Sequence, residues 1–396
     1  MTPAPRPEPP PIPAERYGAR LVAARRGVSA AGLDALLIGV GADLRYLAGY
    51  EAMPLERLTL LVVPAVEGAP MTLVAPRLEA TPARICPAAA SGAVGVATWE
   101  ETEDPMALVA AVLGEALGRL AADPAAVAVS DGMRAAFVLG LQRVLPGARF
   151  SLASAVLRTL RMRKDADEVA LLRAAARAAD RVVAAIAAGT LVGRTEADVA
   201  REIGERLLAE GHDHAEFWIV ASGPNSASPH HEPGQRVIAP GEPIVIDIGG
   251  VLGGYGSDIT RTVWVTGGDP AKGPDAGFQH LYGVLQRAQA AATSAVRPGL
   301  ACERIDAVAR GIIGAAGYGP NFFHRTGHGI GLEGHEEPYL VAGCLEPLAP
   351  GMAFSVEPGI YLEGRYGARI EDIVVCGDAG PVTLNELARD LLVVPG

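Results

Sequence analysis

The chain has 396 residues and a formal net charge of −11 at pH 7; 49% of its residues are hydrophobic and 20% are charged. This length exceeds the usual size of a single core, so it predicts two domains. The acidic balance argues against nucleic-acid binding, which needs a basic face, and the absence of any run of about 18 apolar residues argues against a membrane-spanning helix.

Residues 1–13, MTPAPRPEPPPIP, predict a disordered proline-rich arm. An inert tail is the simpler interpretation, and a proline-rich ligand for a partner protein is the alternative. The arm has no apolar segment of the kind found in secretory signals, and the four cysteines are scattered without a CxxC pair. Both features predict a cytoplasmic protein with free, buried thiols.

Residues 14–157 predict an α/β domain, because strand-like and helix-like segments alternate along them. Helices are expected near 16–31, 105–120 and 133–144, and strands at 35–40, 58–64, 71–76 and 127–130. This part contains no phosphate-binding loop and no nucleophile elbow. Its contribution to any chemistry is therefore expected to be indirect.

Residues 158–396 predict an antiparallel sheet backed by two helix pairs. A long amphipathic helix begins near residue 166, where Asp165 or Asp167 can cap it. Further helices are expected at 196–209, 275–296 and 302–316. Between them lie the strand-like segments EFWIVAS, PIVIDIGG and YGSDITRTVWV, and the last two predict a hairpin with glycines at its bend.

Asp247 and Asp258 flank this predicted bend, so strand pairing is expected to bring their carboxylates side by side on one face of the sheet. At about 4 Å and an effective dielectric constant near 20, two such charges repel each other by roughly 4 kcal/mol. Glu357 and Glu371, on short segments between glycines and prolines, would add to this repulsion. Two divalent cations would neutralise the four carboxylates and leave room for a bridging hydroxide, so the pattern predicts a dinuclear metal site.

One imidazole completes the set of candidate ligands. His328 lies in HRTGHGIGL, where glycines allow the backbone to approach a metal or a substrate. Oxygen donors with a single imidazole suit Mn²⁺, Co²⁺ or Fe²⁺. His335 and either His230 or His231 are candidate donors to a substrate carbonyl or oxyanion. Arg369 lies two residues before the last of the four acids and would point the same way on a strand, where it can hold a carboxylate.

The motifs YGSDITRT, TGHGIGLEGHEEP, VEPGIY and RIED, together with the helix LRMRKDADEVALLRAAA, resemble those of the pita-bread metallopeptidases, in the branch of aminopeptidase P and prolidase (Xaa-Pro dipeptidase). The resemblance covers essentially the whole chain after the proline-rich arm. It implies an α+β fold, with a creatinase-like α/β domain at 14–157 and a pita-bread catalytic domain at 158–396. It also implies two Mn²⁺ or Co²⁺ ions, a homodimer, and short peptide substrates with proline at the second position.

The resemblance further implies a role for each metal-site residue. Asp247, Asp258, His328, Glu357 and Glu371 would bind metal, with Asp258 and Glu371 bridging the two ions. Glu357 would also take a proton from the bridging water and pass it to the leaving imino nitrogen of proline.

Three positions match the family's substrate-binding residues. His335 corresponds to its second substrate histidine, and Arg369 to the arginine before the last ligand. The first substrate histidine of the family lies about seventeen residues before the first ligand, a spacing that favours His230 over His231 in this chain.

One position departs from the family pattern. Several prolidases carry, directly after the HExP motif, an arginine that can grip the free carboxylate of a dipeptide, and here HEEPYL places Tyr339 there. This departure favours an aminopeptidase that accepts longer Xaa-Pro peptides, unless Arg365 or a residue of the partner subunit replaces the arginine.

The leading prediction is hydrolysis of the bond between an N-terminal residue and proline by a metal-bridging hydroxide. Three alternatives stay open: a hydrolase of a different small amide, a metal-free creatinase-type enzyme, and a non-catalytic binding protein with the same fold. The last two should have lost metal ligands, whereas the sequence retains all five.

Overall fold

The computed structural model describes residues 11–118 and 123–396. Most of the predicted proline-rich arm and the last two residues of the helix predicted at 105–120 lie outside the described residues. The chain divides into an N-terminal unit, Ile12–Arg161, and a C-terminal unit, Met162–Gly396. The domain bounds expected from the sequence, 14–157 and 158–396, stay a prediction.

The N-terminal unit alternates strands and helices, as the sequence predicts. Its strands are β1 (Ala35–Gly39), β2 (Leu60–Pro64), β3 (Thr72–Pro76), β4 (Gly95–Trp99), β5 (Ala126–Val129) and β6 (Arg149–Leu152). Its helices are α1 (Ala14–Ala30), α2 (Ala42–Ala48), α3 (Ala80–Ile85), α4 (Pro87–Ala90), α5 (Pro105–Leu117), α6 (Ala135–Val144) and α7 (Ser154–Met162). Among the described residues, the strands form a six-stranded sheet in the order β4-β3-β2-β1-β5-β6. The sheet is mixed, since β1 runs antiparallel to β2 and parallel to β5.

The sequence analysis missed β4 and β6, the strands at the two edges of this sheet. Only the last residue of β4 is buried, and no residue of β6 is. Strand prediction here depended on runs of apolar residues, which occur where a strand is buried on both faces. An edge strand with exposed residues carries no such run.

The C-terminal unit consists of four long helices and several sheets. Its helices are α8 (Ala166–Ala187), α9 (Glu196–Ala209), α10 (Ala276–Ala295) and α11 (Cys302–Ala315). Its strands are β7 (His214–Ser222), β8 (Glu242–Leu252), β9 (Tyr255–Gly256), β10 (Ile259–Val265), β11 (Gly327–Gly329), β12 (Glu336–Leu340), β13 (Ala353–Val356), β14 (Gly359–Leu362), β15 (Tyr366–Arg369), β16 (Asp372–Gly377), β17 (Gly380–Thr383) and β18 (Leu392–Val394). Among the described residues, the sheet orders are β18-β10-β8-β7 with β9 on β8, β12-β11-β13-β16-β17, and β14-β15.

The helices back these sheets in two pairs, as predicted. Helices α8 and α9 bury apolar side chains against β7, β8 and β10, and α10 and α11 do so against β13 and β16. The cap of α8 is Asp165, whose side chain accepts hydrogen bonds from the amides of Asp167 and Glu168. Within the described part of the chain, no helix is both long and apolar enough to cross a membrane.

The register of the β8–β10 hairpin corrects one expectation. Thr260, not Asp258, lies opposite Asp247, and Ile259 pairs with Ile248. The two aspartates therefore share a face of the sheet but lie diagonally, two residues out of register. Because the predicted bend fixed only the separation in sequence, it did not determine which residues pair.

Candidate metal centre

The five candidate metal ligands lie on separate segments of the C-terminal unit. Asp247 is on β8, Asp258 precedes β10, His328 is on β11, Glu357 follows β13, and Glu371 lies between β15 and β16. Four of them are buried and Glu357 is half-buried. Strand ends and short turns from distant parts of the chain thus bring acidic groups into the interior.

Asp258, His328 and Glu371 form the tightest group. Each offers one ligand atom, and these atoms lie within 4.8 Å of one another. The Nε2 atom of His328 is 3.6 Å from Asp258 Oδ2 and 3.4 Å from Glu357 Oε1. Its Nδ1 atom lies 3.1 Å from the carbonyl oxygen of Gly329, which can only accept, so Nδ1 carries the proton. The lone pair of Nε2 therefore points into the acidic cluster, as a metal ligand requires.

Asp247 lies outside this group of three, but its charge acts on Asp258 and Glu371. Its Oδ2 atom accepts a hydrogen bond of 2.5 Å from Arg369 Nη2. Its Oδ1 atom is buried and has no hydrogen-bond partner among the described residues. A buried carboxylate oxygen without a partner is unfavourable by about 1–3 kcal/mol or more, and a bound cation would remove that penalty.

Burial and mutual repulsion disfavour the charged forms of these acids. Burial raises the pKa of both Asp258 and Glu371 well above the ordinary range, and the neighbouring carboxylates raise it further. Burial also raises the pKa of Glu357 to about 7. In contrast, burial lowers the pKa of His328 to about 3, which keeps the imidazole neutral. Clustered oxygen donors with one neutral imidazole fit divalent cations such as Mn²⁺ or Co²⁺.

The contribution of Glu357 to the stability of the metal-free protein should fall as the pH rises. Because the pKa of Glu357 is 4.5 ordinarily and about 7 in the fold, the folded state binds more protons than the unfolded state between these values. The stabilisation is complete below about pH 4.5 and is lost as the pH rises through about 7. The measurement is thermal unfolding of chelator-treated protein from about pH 4 to about pH 8.

The Glu357→Gln variant removes this carboxyl group, together with its repulsion of Asp258 and Glu371, in the same experiment. The stability of wild type relative to the variant should fall with rising pH, and saturating Mn²⁺ should abolish the fall. A difference that is constant or increases with pH would contradict the electrostatic description.

Arg369 connects the ligands to one another. It donates to Asp247 and, through Nε, to the Thr260 hydroxyl at 3.2 Å. Thr260 in turn donates to Glu371 Oε2 at 2.7 Å. Arg369 and Glu371 thus both bond to the hydroxyl of Thr260, and the arginine contacts Asp247 directly and Glu371 through that hydroxyl. The sequence analysis singled out Arg369 but missed Thr260, which lies within the quoted motif YGSDITRT.

The three candidate histidines outside the ligand set have different surroundings. The His335 ring stacks on that of His328, with centroids 3.7 Å apart. His231 is tied to the buried carboxylate of Glu196, 2.8 Å away. His230 is exposed, and the carbonyl of the preceding Pro229 accepts a hydrogen bond from Arg369. The choice of His230 over His231 as a donor to the substrate stays a prediction.

The site contains two more residues that the sequence analysis had not singled out, Tyr361 and His324. The Tyr361 hydroxyl accepts a hydrogen bond of 2.8 Å from Arg369 Nη1 and lies 3.0 Å from His324 Nε2. His324 Nδ1 lies 2.7 Å from the Arg325 carbonyl and carries the proton, so its Nε2 accepts from Tyr361. Both residues lie in or next to motifs that had been noted, VEPGIY and HRTGHG, which is the signal that was available.

The positively charged side chain of Arg325, in the segment between α11 and β11, also lies near the site. The guanidinium carbon of Arg325 lies 4.4 Å from the centroid of the Tyr339 ring. Burial lowers the pKa of His335, and the positive charge of Arg325 lowers it further. Arg310 holds the segment in place by donating to the carbonyls of Phe322 and His324, each at 2.8 Å.

Arg365, the residue suggested as a replacement for the missing family arginine, points elsewhere. It is exposed in the turn between β14 and β15, and its Nη2 atom lies 3.1 Å from the Tyr366 hydroxyl. The structure thus places Arg325, not Arg365, against the position where the arginine is missing.

Two family models match successive parts of the chain. Residues 170–378 match the metallopeptidase family M24, and residues 20–163 match the creatinase/prolidase N-terminal domain. The chain is 48% identical to the probable dipeptidase PepE of Mycobacterium tuberculosis strain H37Rv over 383 residues, which are 96% of this chain and 98% of that one. It is 34% identical over 364 residues to the Xaa-Pro dipeptidase of Lactobacillus helveticus, covering 89% and 92%.

A solved structure extends the similarity to the fold. The crystal structure of dipeptidase PepE from Mycobacterium ulcerans superimposes with a TM-score of 0.89 and 47% sequence identity, covering 98% of this chain and 100% of that one. The predicted α+β architecture is confirmed, with a creatinase-like α/β domain followed by a pita-bread domain. The chain therefore belongs to the metallopeptidase family M24.

Proposed function

We propose that this protein is a dinuclear metal-dependent dipeptidase that cleaves the Xaa-Pro bond. The observation that carries the proposal is the convergence of four carboxylates and one neutral imidazole in the C-terminal unit. The 34% identity to the Xaa-Pro dipeptidase of Lactobacillus helveticus supports the choice of bond. Proline makes the scissile bond a tertiary amide, so the leaving nitrogen must be protonated, and a site rich in acids suits that need.

The five ligands would hold two ions, most simply Mn²⁺ or Co²⁺. Asp247 and Asp258 would bind from the β8–β10 hairpin, His328 and Glu357 from the opposite segments, and Glu371 from the turn before β16. When bound, such ions lower the pKa of water and polarise a carbonyl oxygen. The unpartnered Oδ1 atom of Asp247 supports this assignment.

The remaining polar groups would bind the substrate and move protons. His230 and His335 would donate hydrogen bonds to the substrate carbonyl oxygen as negative charge develops on it. Arg369 would keep Asp247 and Glu371 in position through the contacts described above. Glu357 would take a proton from the attacking water and pass it to the proline nitrogen. Its side chain is 15% exposed, against 5% for Asp258, so it is the more accessible of these two carboxylates.

Arg325 supports a preference for dipeptides over longer peptides. Its side chain lies over Tyr339 and forms no salt bridge among the described residues. An arginine without a carboxylate partner, beside an acidic cluster, is suited to bind an anion such as the free C-terminus of a dipeptide. This reverses the preference for longer peptides that Tyr339 alone had suggested.

The other parts of the proposal rest on the sequence. We propose a cytoplasmic homodimer with domains at 14–157 and 158–396 and with short peptides as its partners. A hydrolase of a different small amide remains the alternative, because the fold does not determine the substrate.

An assay of metal-stripped protein tests the proposed activity. Xaa-Pro dipeptides and Xaa-Pro-Yaa tripeptides are supplied with and without Mn²⁺ or Co²⁺, and Asp258→Ala is the inactive control. We expect metal-dependent cleavage of dipeptides, with tripeptides cleaved at least about tenfold more slowly, which corresponds to about 1.4 kcal/mol. Equal cleavage of both would indicate an aminopeptidase P. Bound metals without cleavage of either would favour the alternative amide substrate.

A further inference from the structure

A buried histidine is hydrogen-bonded to the serine that precedes one of the candidate metal ligands in the chain. His212 lies in the turn between α9 and β7, and Ser257 precedes Asp258 in the chain. His212 is 4% exposed and Ser257 is 3% exposed. The Nε2 atom of His212 lies 2.9 Å from Ser257 Oγ, and its Nδ1 atom lies 3.1 Å from the carbonyl oxygen of Leu207.

The partners determine the direction of these hydrogen bonds. The Leu207 carbonyl can only accept, so Nδ1 of His212 carries the proton and Nε2 is an acceptor. The single proton of the Ser257 hydroxyl has two acceptors within reach, Nε2 of His212 at 2.9 Å and the carbonyl oxygen of Gly250 at 3.1 Å. Burial lowers the pKa of His212 to about 4, which keeps the ring in this neutral form. The Ser257 oxygen, in turn, accepts a hydrogen bond of 3.0 Å from the amide of Gly250. Leu207 lies in the last turn of α9, so the imidazole links the end of that helix to the strand segment carrying Asp258.

The serine side chain takes the place of a backbone partner. In the hydrogen-bonded pairs of a regular antiparallel ladder, which alternate with non-hydrogen-bonded pairs, the two opposed residues exchange both backbone hydrogen bonds. Here the Ser257 amide donates to the Gly250 carbonyl at 2.8 Å, but the Gly250 amide donates to the Ser257 side chain instead of to its carbonyl. The peptide between Ser257 and Asp258 is thereby released from the ladder, and neither residue belongs to a strand. Irregular strand positions of this kind re-aim a side chain.

The two glycines of IDIGG make room for this arrangement. A Cβ atom on Gly249 would lie 2.4 Å from the Ser257 carbonyl oxygen, which shows where that carbonyl has turned. A Cβ atom on Gly250 would lie 2.9 Å from the His212 ring. The same Cβ atoms would lie 2.3 Å from the Phe217 ring and 2.8 Å from the His214 carbonyl oxygen, so a larger residue at either position would disturb the packing around the pair.

We propose that His212 and Ser257 are positioning residues that orient Asp258 for metal binding. The inference rests on the proposed role of Asp258 as a metal ligand. Among the described residues, no hydrogen bond joins either side chain to a candidate ligand, so their effect would pass through the backbone of the Ser257–Asp258 peptide. Groups that orient a metal ligand in this way typically change metal affinity or activity by about 10- to 100-fold when they are removed.

Isothermal titration of Mn²⁺ into metal-stripped protein tests this inference without any substrate. Ser257→Ala removes only the hydroxyl oxygen and should weaken Mn²⁺ binding by about 10- to 100-fold. His212→Gln removes the other half of the pair, should act in the same direction, and serves if Ser257→Ala does not fold. The matched control is Ser130→Ala in the N-terminal unit, where a buried serine hydroxyl accepts a backbone hydrogen bond of 3.1 Å from Gly39.

Each result has a distinct meaning. Weakened Mn²⁺ binding in both variants, with unchanged binding in Ser130→Ala, would support the inference. If Asp258→Ala loses Mn²⁺ while Ser257→Ala binds it as wild type does and only unfolds at a lower temperature, the pair is structural and the inference is overturned. If wild type itself binds no Mn²⁺, the proposed metal-dependent function fails and the inference fails with it.

Discussion

Replacing Glu371 with glutamine should reduce kcat/KM for a Xaa-Pro dipeptide by about 1,000-fold or more, equivalent to about 4 kcal/mol of transition-state stabilisation. Glutamine keeps the shape of the side chain, and its oxygen can still accept the hydrogen bond from Thr260. What is lost is a negative charge at the centre of the acidic cluster, which two divalent cations would need for tight binding. Steady-state kinetics and Mn²⁺ titration measure the two effects separately.

The same substitution should have the opposite effect on the stability of the metal-free protein. Burial, and then the charges of Asp258 and Glu357, disfavour the ionised form of Glu371, so a neutral amide in its place removes that cost from the folded state. We expect metal-free Glu371→Gln to unfold at a higher temperature than metal-free wild type and to gain less from added Mn²⁺. A variant that is both inactive and less stable without metal would instead indicate a structural defect.

A matched control separates the site from the general effect of losing an acid. Glu386 is exposed and pairs with Arg177, so Glu386→Gln removes a carboxylate outside the cluster. Exposed ion pairs contribute about 0–1 kcal/mol, so this variant should keep wild-type kinetics and nearly wild-type stability.

Replacing Arg325 with alanine should raise KM for Xaa-Pro dipeptides by about 10- to 100-fold, because a hydrogen bond to a charged group contributes about 1.5–3 kcal/mol. The change should fall mainly on KM, since the carboxylate of the substrate carries its full charge before and during the reaction. Xaa-Pro amides, in which that carboxylate is blocked, should bind equally well to both proteins. Steady-state kinetics with each dipeptide and its amide provide the measurement.

Two further variants sharpen this test. Arg325→Lys keeps the charge but not the planar fork, so it should recover only part of the affinity. Arg365→Ala removes the exposed arginine that pairs with Tyr366 and should leave both substrates unaffected. An equal loss for dipeptide and amide in Arg325→Ala would show that Arg325 does not bind the carboxylate.

Much of the architecture follows from local patterns that are legible in the sequence. The helices of the C-terminal unit agree with their predictions to within a residue or two at the ends compared, because apolar periodicity and caps such as Asp165 are properties of neighbouring residues. The edge strands β4 and β6 were missed, because exposed strands carry little of that periodicity.

The chemical identity of the candidate site was also contained in the sequence. Acids at the ends of apolar strands, and a histidine among glycines, are unusual enough to predict a metal centre before any contact is known. The family match agrees with that prediction. Residue type and spacing within a segment sufficed, because each motif is only a few residues long.

Only the tertiary structure decided how these segments meet. It offset Asp247 from Asp258 by two residues, joined Asp247 to Arg369 across 122 positions, and placed Arg325 over Tyr339. It also placed His212 within hydrogen-bonding distance of Ser257, 45 positions further along the chain. Such contacts depend on strand register and on the packing of segments far apart in the chain, and local sequence contains no measure of either. The sequence alone therefore predicted the candidate metal ligands, and the packing determined which groups face one another and brought Thr260, Tyr361 and Arg325 to the site.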